Sequence, residues 1–199
     1  MPKLIDHDDR RTQLAEAAWR VIVRDGVAGA SVRTVAAEAG VSTGSLRHLF
    51  GNHADLLVFA LQLVIDRAVG RITSLPTRSD PVAAVEAVAA ELLPLDQERR
   101  AEMEVYLALF TAANTNPGLR STRDAAHQQV QDSCRWMIDR LARGGALDAG
   151  ADLQLETLRL HALIDGLAAH LVYDVTDTVP DQALQVLHRH IQSLAAPAA

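Results

Sequence analysis

The chain has 199 residues, an apolar fraction of 49% and a formal net charge of −6. That is enough apolar material for a sizeable core in one or two domains, and the single cysteine excludes an internal disulfide and points to a reducing compartment, the cytoplasm. Aromatic and β-branched residues are few and helix formers dominate, so the expected fold is all-α; no apolar run follows Lys3 and no segment approaches a bilayer span, so neither a secretory leader nor a membrane partner is expected.

Residues 1–9 are polar and expected to fray. The spacing predicts a first helix over Asp8–Asp25, with Leu14, Ala17, Ala18, Val21 and Ile22 on one stripe and Trp19 as core or edge packing beside it. Gly26 and Gly29 interrupt the chain before Ser31, which is placed to cap a short helix carrying Val32, Val35 and Ala36 inward. Gly40 follows where a left-handed residue is usual, Val41 plugs the turn, and Ser42 caps a second short helix whose Leu46, Leu49 and Phe50 face the core. Thr43, Gly44, Ser45, Arg47 and His48 are left outside.

Two short helices joined by a Gly-containing turn form a helix-turn-helix, whose second helix fits a major groove with its N-terminal residues at base edges. On spacing alone the same pattern also fits an ordinary helical hairpin. The distribution of charge is informative here. Residues 1–55 carry seven Lys/Arg and seven Asp/Glu, and residues 56–199 twelve and eighteen, so all the excess acid lies outside this region. A neutral head with an acidic body keeps the body off phosphate.

Beyond the motif, a helix should run from His53 to about Ile72, apolar on more than one side. It would link a head (1–52) to a body (53–199). SLPTRSDP (74–81) is a linker, with Asp80 capping and Pro81 opening the next helix, which ends near Pro94. A helix capped by Asp96 and running to about Thr115 carries Met103, Tyr106, Leu107 and Phe110 along one side. NTNPG (114–118) breaks it, residues 119–143 form another helix, and GGALDAGAD (144–152) is a loop. Asp152 caps a helix over 153–173, and a last one spans 180–194 before an alanine-rich tail expected to be disordered.

The 153–173 helix is apolar nearly all round, with Leu160, Leu163, Ile164, Leu167 and Leu171 as its main stripe, so it must be buried on most sides. Two arrangements do that: packing against a second copy of the chain, or a central place in a monomer core. His161 and Asp165 share a face at i, i+4, either as a satisfied buried pair or as polar anchors of a ligand pocket. Phe59, Leu63, Met103, Tyr106, Phe110 and Trp136 are the apolar candidates for such a pocket, with His161 and Asp165 as its anchors. His188 and His190 point apart on their helix, no zinc spacing occurs, and Cys134 has no nucleophile context. Phosphate loops, hydrolase elbows and dinucleotide fingerprints are all missing, so no metal, cofactor or enzymatic activity is expected.

AEAGVSTGSLRHLFGNHADLL resembles the DNA-binding signature of the TetR family of bacterial regulators over residues 8–57, and LPLDQERRAEMEVYLALF with LIDGLAAHLVYD resembles the BetI-type C-terminal region. The resemblance implies recognition-helix contacts at Thr43, Gly44, Ser45, Arg47 and His48, and phosphate contacts at Arg33 and Thr34, with Ser31 and Ser42 at the two helix starts. Arg47 stands where the family has an aromatic residue, Leu49 where it has a second, and His53 where it has a lysine that reaches phosphate. Arg47 remains a strong phosphate donor, and His53 is a weaker one unless protonated. The resemblance further implies a homodimer on inverted-repeat operator DNA, acting as a repressor released by a small-molecule effector. The alternative from another class is a helical ligand-binding or scaffolding protein without DNA binding.

Overall fold

The computed structural model describes residues 7–173 and 179–194. Of the stretches expected to lack order, residues 1–6 and the tail from 195 on lie outside the described residues, and residues 7–9 are helical. The described residues form α1 (His7–Gly29), α2 (Val32–Glu38), α3 (Thr43–Leu49), α4 (His53–Thr73), α5 (Pro81–Glu91), α6 (Gln97–Ala112), α7 (Pro117–Arg143), α8 (Leu153–Tyr173) and α9 (Val179–Ser193), with no strand among them. α1 reaches four residues beyond the expected end, and the break falls inside it, where Gly26 takes φ 74°. Every predicted cap is made. Asp80 accepts from Val82 and Ala83 N–H, Asp96 from Arg99 N–H at 2.8 Å, and Asp152 from Gln154 and Leu155 N–H.

The chain packs into two compact units whose division differs from the expected one at residue 52. One runs to Arg67 and takes in Ala101–Ala125; the other takes Ala68–Arg100 and the chain from Ala126 on. The reason is that α4, α6 and α7 continue past any single chain boundary, so packing rather than chain order sets the division.

In the first unit α1 lies on α2 and α2 on α3. The predicted α1 stripe is buried throughout, Leu14 to Ile22, with Val35, Ala36, Leu46, Phe50, Leu56 and Leu57. At ~25 cal/mol per Å2 of apolar area, each of the Leu, Ile, Val and Phe side chains among them contributes roughly 1.5–3 kcal/mol. Arg20 and Arg24 of α1 reach Glu38 of α2 at 2.8 and 3.0 Å, and the hydrogen bond from Arg20, then that from Arg24, hold its carboxyl below the usual range. Arg67 is bound by Glu16, stands 3.5 Å from the buried Glu102 and stacks on Trp19.

In the second unit α8 and α5 both pack on α9. Val85, Ala89, Met137, Ile138, Leu141, Leu160, Ile164, Leu171, Leu187 and Ile191 form its core. His188 Nδ1 meets Glu86 Oε1 at 2.6 Å, tying α9 to α5. Arg100 Nη2 donates to the Val172 carbonyl at 2.6 Å.

Candidate nucleic-acid interface and ligand sites

α3 is a seven-residue helix, too short to persist alone. Its support is local. Ser42 Oγ accepts from Ser45 N–H at 3.0 Å, Leu46 and Phe50 are buried, and Gly40 at φ 66° turns the chain between α2 and α3. Thr43, Gly44, Arg47 and His48 are exposed, and Ser45 is half-buried. No bulky side chain precedes Arg47 on α3's N-terminal face, so the helix backbone can approach a groove edge closely. Arg33 is exposed on α2.

Two predicted contact residues are placed otherwise. Thr34 Oγ1 donates to the Gly29 carbonyl at 2.6 Å, while its N–H goes to Ser31 Oγ at 3.2 Å, so its hydroxyl proton is engaged within the chain. His53 is half-buried with Nε2 against the Ala30 carbonyl, at the α4 start, rather than turned outward. The contact ties the start of α4 to the segment between α1 and α2. A further feature passed unnoticed in the sequence: Asn52 and Asp55 cap α4 reciprocally, Asp55 N–H to Asn52 Oδ1 at 2.9 Å and Asn52 N–H to Asp55 Oδ2 at 3.2 Å. The N-x-x-D spacing was its signal.

The eight residues expected to line a pocket separate into groups. Phe59 packs on Phe50, ring centroids 5.5 Å apart, with the Arg11 guanidinium 4.4 Å from its own ring. Tyr106 and Phe110 pair at 5.5 Å, and Arg123 caps Phe110. Leu63 and Met103 are half-buried in the same unit. In the second unit His161 is 4% exposed, its Nε2 3.4 Å from Asp165 and its ring 4.9 Å from that of His127. Burial pushes its protonation below the ordinary 6.5, Asp165 opposes that, and His127 adds to it. Trp136 does not join this group. It stands nine positions after His127 on α7, half a helical turn round, and lines a separate cavity of about 670 Å3.

The predicted α8 stripe also divides. Leu160, Ile164 and Leu171 are buried within their own chain, and Leu163 and Leu167 are half-buried. The face left open carries Leu155 (52% exposed) and Leu158 (60%), with Ala162 and Gly166 along it. No metal-holding cluster of His, Cys, Asp or Glu occurs among the described residues, and no helix there is long and apolar enough to cross a membrane.

A capped helix-turn-helix with an exposed polar recognition face, on an otherwise all-α chain, defines a DNA-binding regulator. The chain belongs to the TetR family. Residues 14–58 match the bacterial regulatory proteins of the tetR family, and residues 81–196 match the BetI-type transcriptional repressor C-terminal region. It is 40% identical to the HTH-type transcriptional regulator PksA of Bacillus subtilis, over 98% of this chain and 94% of that one. With the HTH-type transcriptional regulator BetI of Paraburkholderia phytofirmans it shares 31% identity over 84% of each chain. Among solved structures, a transcriptional regulator from Rhodococcus sp. Rha1 superposes with a TM-score of 0.80 at 29% identity, covering 92% of this chain and 95% of that one. A putative regulator from Saccharomonospora viridis, solved in complex with choline, has the same fold at TM-score 0.80 and 24% identity, over 96% and 100%.

Proposed function

We propose that this regulator is a cytoplasmic, non-enzymatic repressor, which binds an inverted-repeat operator as a homodimer and leaves it when a small molecule binds the body. The observation that carries the DNA-binding surface is α3: its structural residues, Ser42, Leu46 and Phe50, are separate from its exposed ones, Thr43, Gly44, Arg47 and His48. Dimerisation is supported by the open apolar face of α8, since Leu155 and Leu158 leave apolar area in water that a second copy would cover. Gly166 on that helix has nothing within 4 Å of where a Cβ would stand, room for a close approach. A dimer would present two copies of α3 to successive major grooves, ~34 Å apart. The choline complex of the Saccharomonospora viridis relative supports a small-molecule effector. Such an effector must bind the DNA-free arrangement more tightly, because only differential affinity shifts a population.

Retardation of the chain's own upstream DNA tests this. Arg33→Ala and Arg47→Ala should each weaken binding; loss of a phosphate contact lowers the salt slope by about one unit, and loss of a base contact costs ~1–3 kcal/mol at one position. If Arg47→Ala and His48→Ala both leave affinity unchanged, α3 is not the docking element.

A further inference from the structure

Asp132, Trp136 and Arg140 stand at i, i+4 and i+8 on α7, one above another on a single face. They line the cavity of about 670 Å3, together with the end of α4, the loop that follows it and α5. Pockets for small molecules run roughly 300–1,000 Å3. The wall opposite α7 is apolar: Ile72, Leu75, Ala84, Ala87 and Val88. Trp136 is 43% exposed, and its Nε1 meets no acceptor among the described residues. A buried or bound indole normally finds one.

The frame is fixed by backbone. Arg140 Nη2 donates to the carbonyls of Arg78 and Ser79 at 3.1 and 3.0 Å, fastening the loop to α7. A Cβ at Gly144 would stand 2.6 Å from Pro81 Cγ, so the end of α7 and the start of α5 are already in contact.

The polar groups are mostly donors. Among the described residues Arg140 engages only Nη2, which leaves Nε and Nη1. Arg78 is exposed, and its guanidinium makes no hydrogen bond to the described residues. Thr77 and Trp136 add a hydroxyl and an indole N–H. Against them stands one carboxylate, Asp132, whose Oδ1 already accepts from Gln128 at 2.9 Å. The Ser133 hydroxyl donates its hydrogen bond to the Gln129 carbonyl. Two guanidinium groups facing one engaged carboxylate favour a ligand end that only accepts, and the arginine fork matches a carboxylate in both charge and shape. A quaternary ammonium would meet net positive charge here.

We propose that this cavity binds a small amphipathic carboxylate, its apolar body between Trp136 and the α5 wall and its anionic end on Arg140 and Arg78. The site stands on its own chemistry. Only its link to DNA release rests on the repressor function proposed above.

The test uses the full chain in a Trp19→Phe background, which leaves Trp136 as the single indole. Decanoate is the probe, with decanol and choline as its neutral and cationic counterparts. Decanoate should change Trp136 emission saturably, decanol should bind about tenfold more weakly, and choline should leave the emission unchanged. Arg78→Met breaks no side-chain hydrogen bond to the described residues and should weaken decanoate about tenfold. Ala87→Phe, which fills the wall from a half-buried position, should abolish the response. No saturable response, equal binding of decanol, tighter binding of choline, or unchanged decanoate affinity in both variants would each overturn the proposal. Trp136 emission that depends on protein concentration without any probe would show a second copy on this face, and would overturn it too. DNA retardation is measured alongside. Decanoate bound without DNA release keeps the site and removes the effector role, whereas no retardation in the ligand-free chain removes the repressor function alone.

Discussion

The indole Nε1 of Trp19 donates to the Ala60 carbonyl at 3.0 Å, with the Arg67 guanidinium 4.8 Å from the ring. A buried hydrogen bond thus joins α1, which backs the DNA-binding helices, to the middle of α4. Trp19→Phe keeps most of the apolar contact and loses the bond. The expected cost is about 1–2 kcal/mol, seen as a lower urea midpoint at unchanged slope.

Ser42→Ala removes the N-cap of α3. Stability should fall by about 1 kcal/mol, and operator affinity should fall further, because a seven-residue helix without its cap no longer holds its side chains in register. Ser42→Asp should restore the urea midpoint but not the affinity, since the new charge faces phosphate.

Two leucines on α8 separate folding from assembly. Leu160 is fully buried in its own chain and Leu158 is 60% exposed. Leu160→Asp should unfold the subunit, as an unpaired buried charge does. Leu158→Asp should leave the helical circular dichroism intact and shift the sedimenting species toward monomer. A Leu158→Asp protein that remains a dimer would move the interface off this face.

These two residues also show what the sequence could and could not convey. Caps were legible, because a Ser or Asp at a helix start needs only its own backbone neighbours to act: Ser31, Ser42, Asp80, Asp96 and Asp152 all do so. The buried stripe of α1 was legible for the same reason, as one face only is apolar. α8 is apolar on both sides, and periodicity does not say which side its own chain covers. Trp136 and His161 failed to meet because their grouping depended on the phase of α7 against α8. His53 occupies a position where the family carries an outward cation, but the open carbonyl of Ala30 draws it inward. The Trp136 cavity depends on a loop anchored by Arg140, a contact spanning 62 residues that no local pattern encodes.

Stability should decline on mild acidification. His161 and His190 both protonate below the ordinary 6.5: burial is the main cause in each, opposed at His161 by Asp165 and reinforced at His190 by Arg159. Well above pH 6.5 both are neutral in the folded and unfolded chain, and stability is full. As pH falls from there through the lowered folded values, the unfolded chain takes up protons first, at a cost of at most about 1.4 kcal/mol per group per pH unit. Urea midpoints at pH 7.5 and 5.5 measure this, and His161→Gln should flatten the dependence.

Cys134 should be inert. It is fully buried, and burial, aided by the Asp165 charge, pushes its thiol up to about 12. The native chain should react with an aromatic disulfide reagent at pH 8 only at the rate of global opening, and stoichiometrically once unfolded in urea.

The separation of duties on α3 has a consequence for how such a regulator changes over generations. Ser42, Leu46 and Phe50 hold the helix, while the side chains of Thr43 and Arg47 make no hydrogen bond within the described residues and Gly44 contributes none. Substitutions at those three surface positions carry little folding penalty beyond helix propensity. Duplicated copies of the gene could therefore drift to new target sites without first acquiring compensating mutations in the core. A recognition helix exchanged between relatives would be tolerated for the same reason, provided the serine cap and the two buried anchors travel with it.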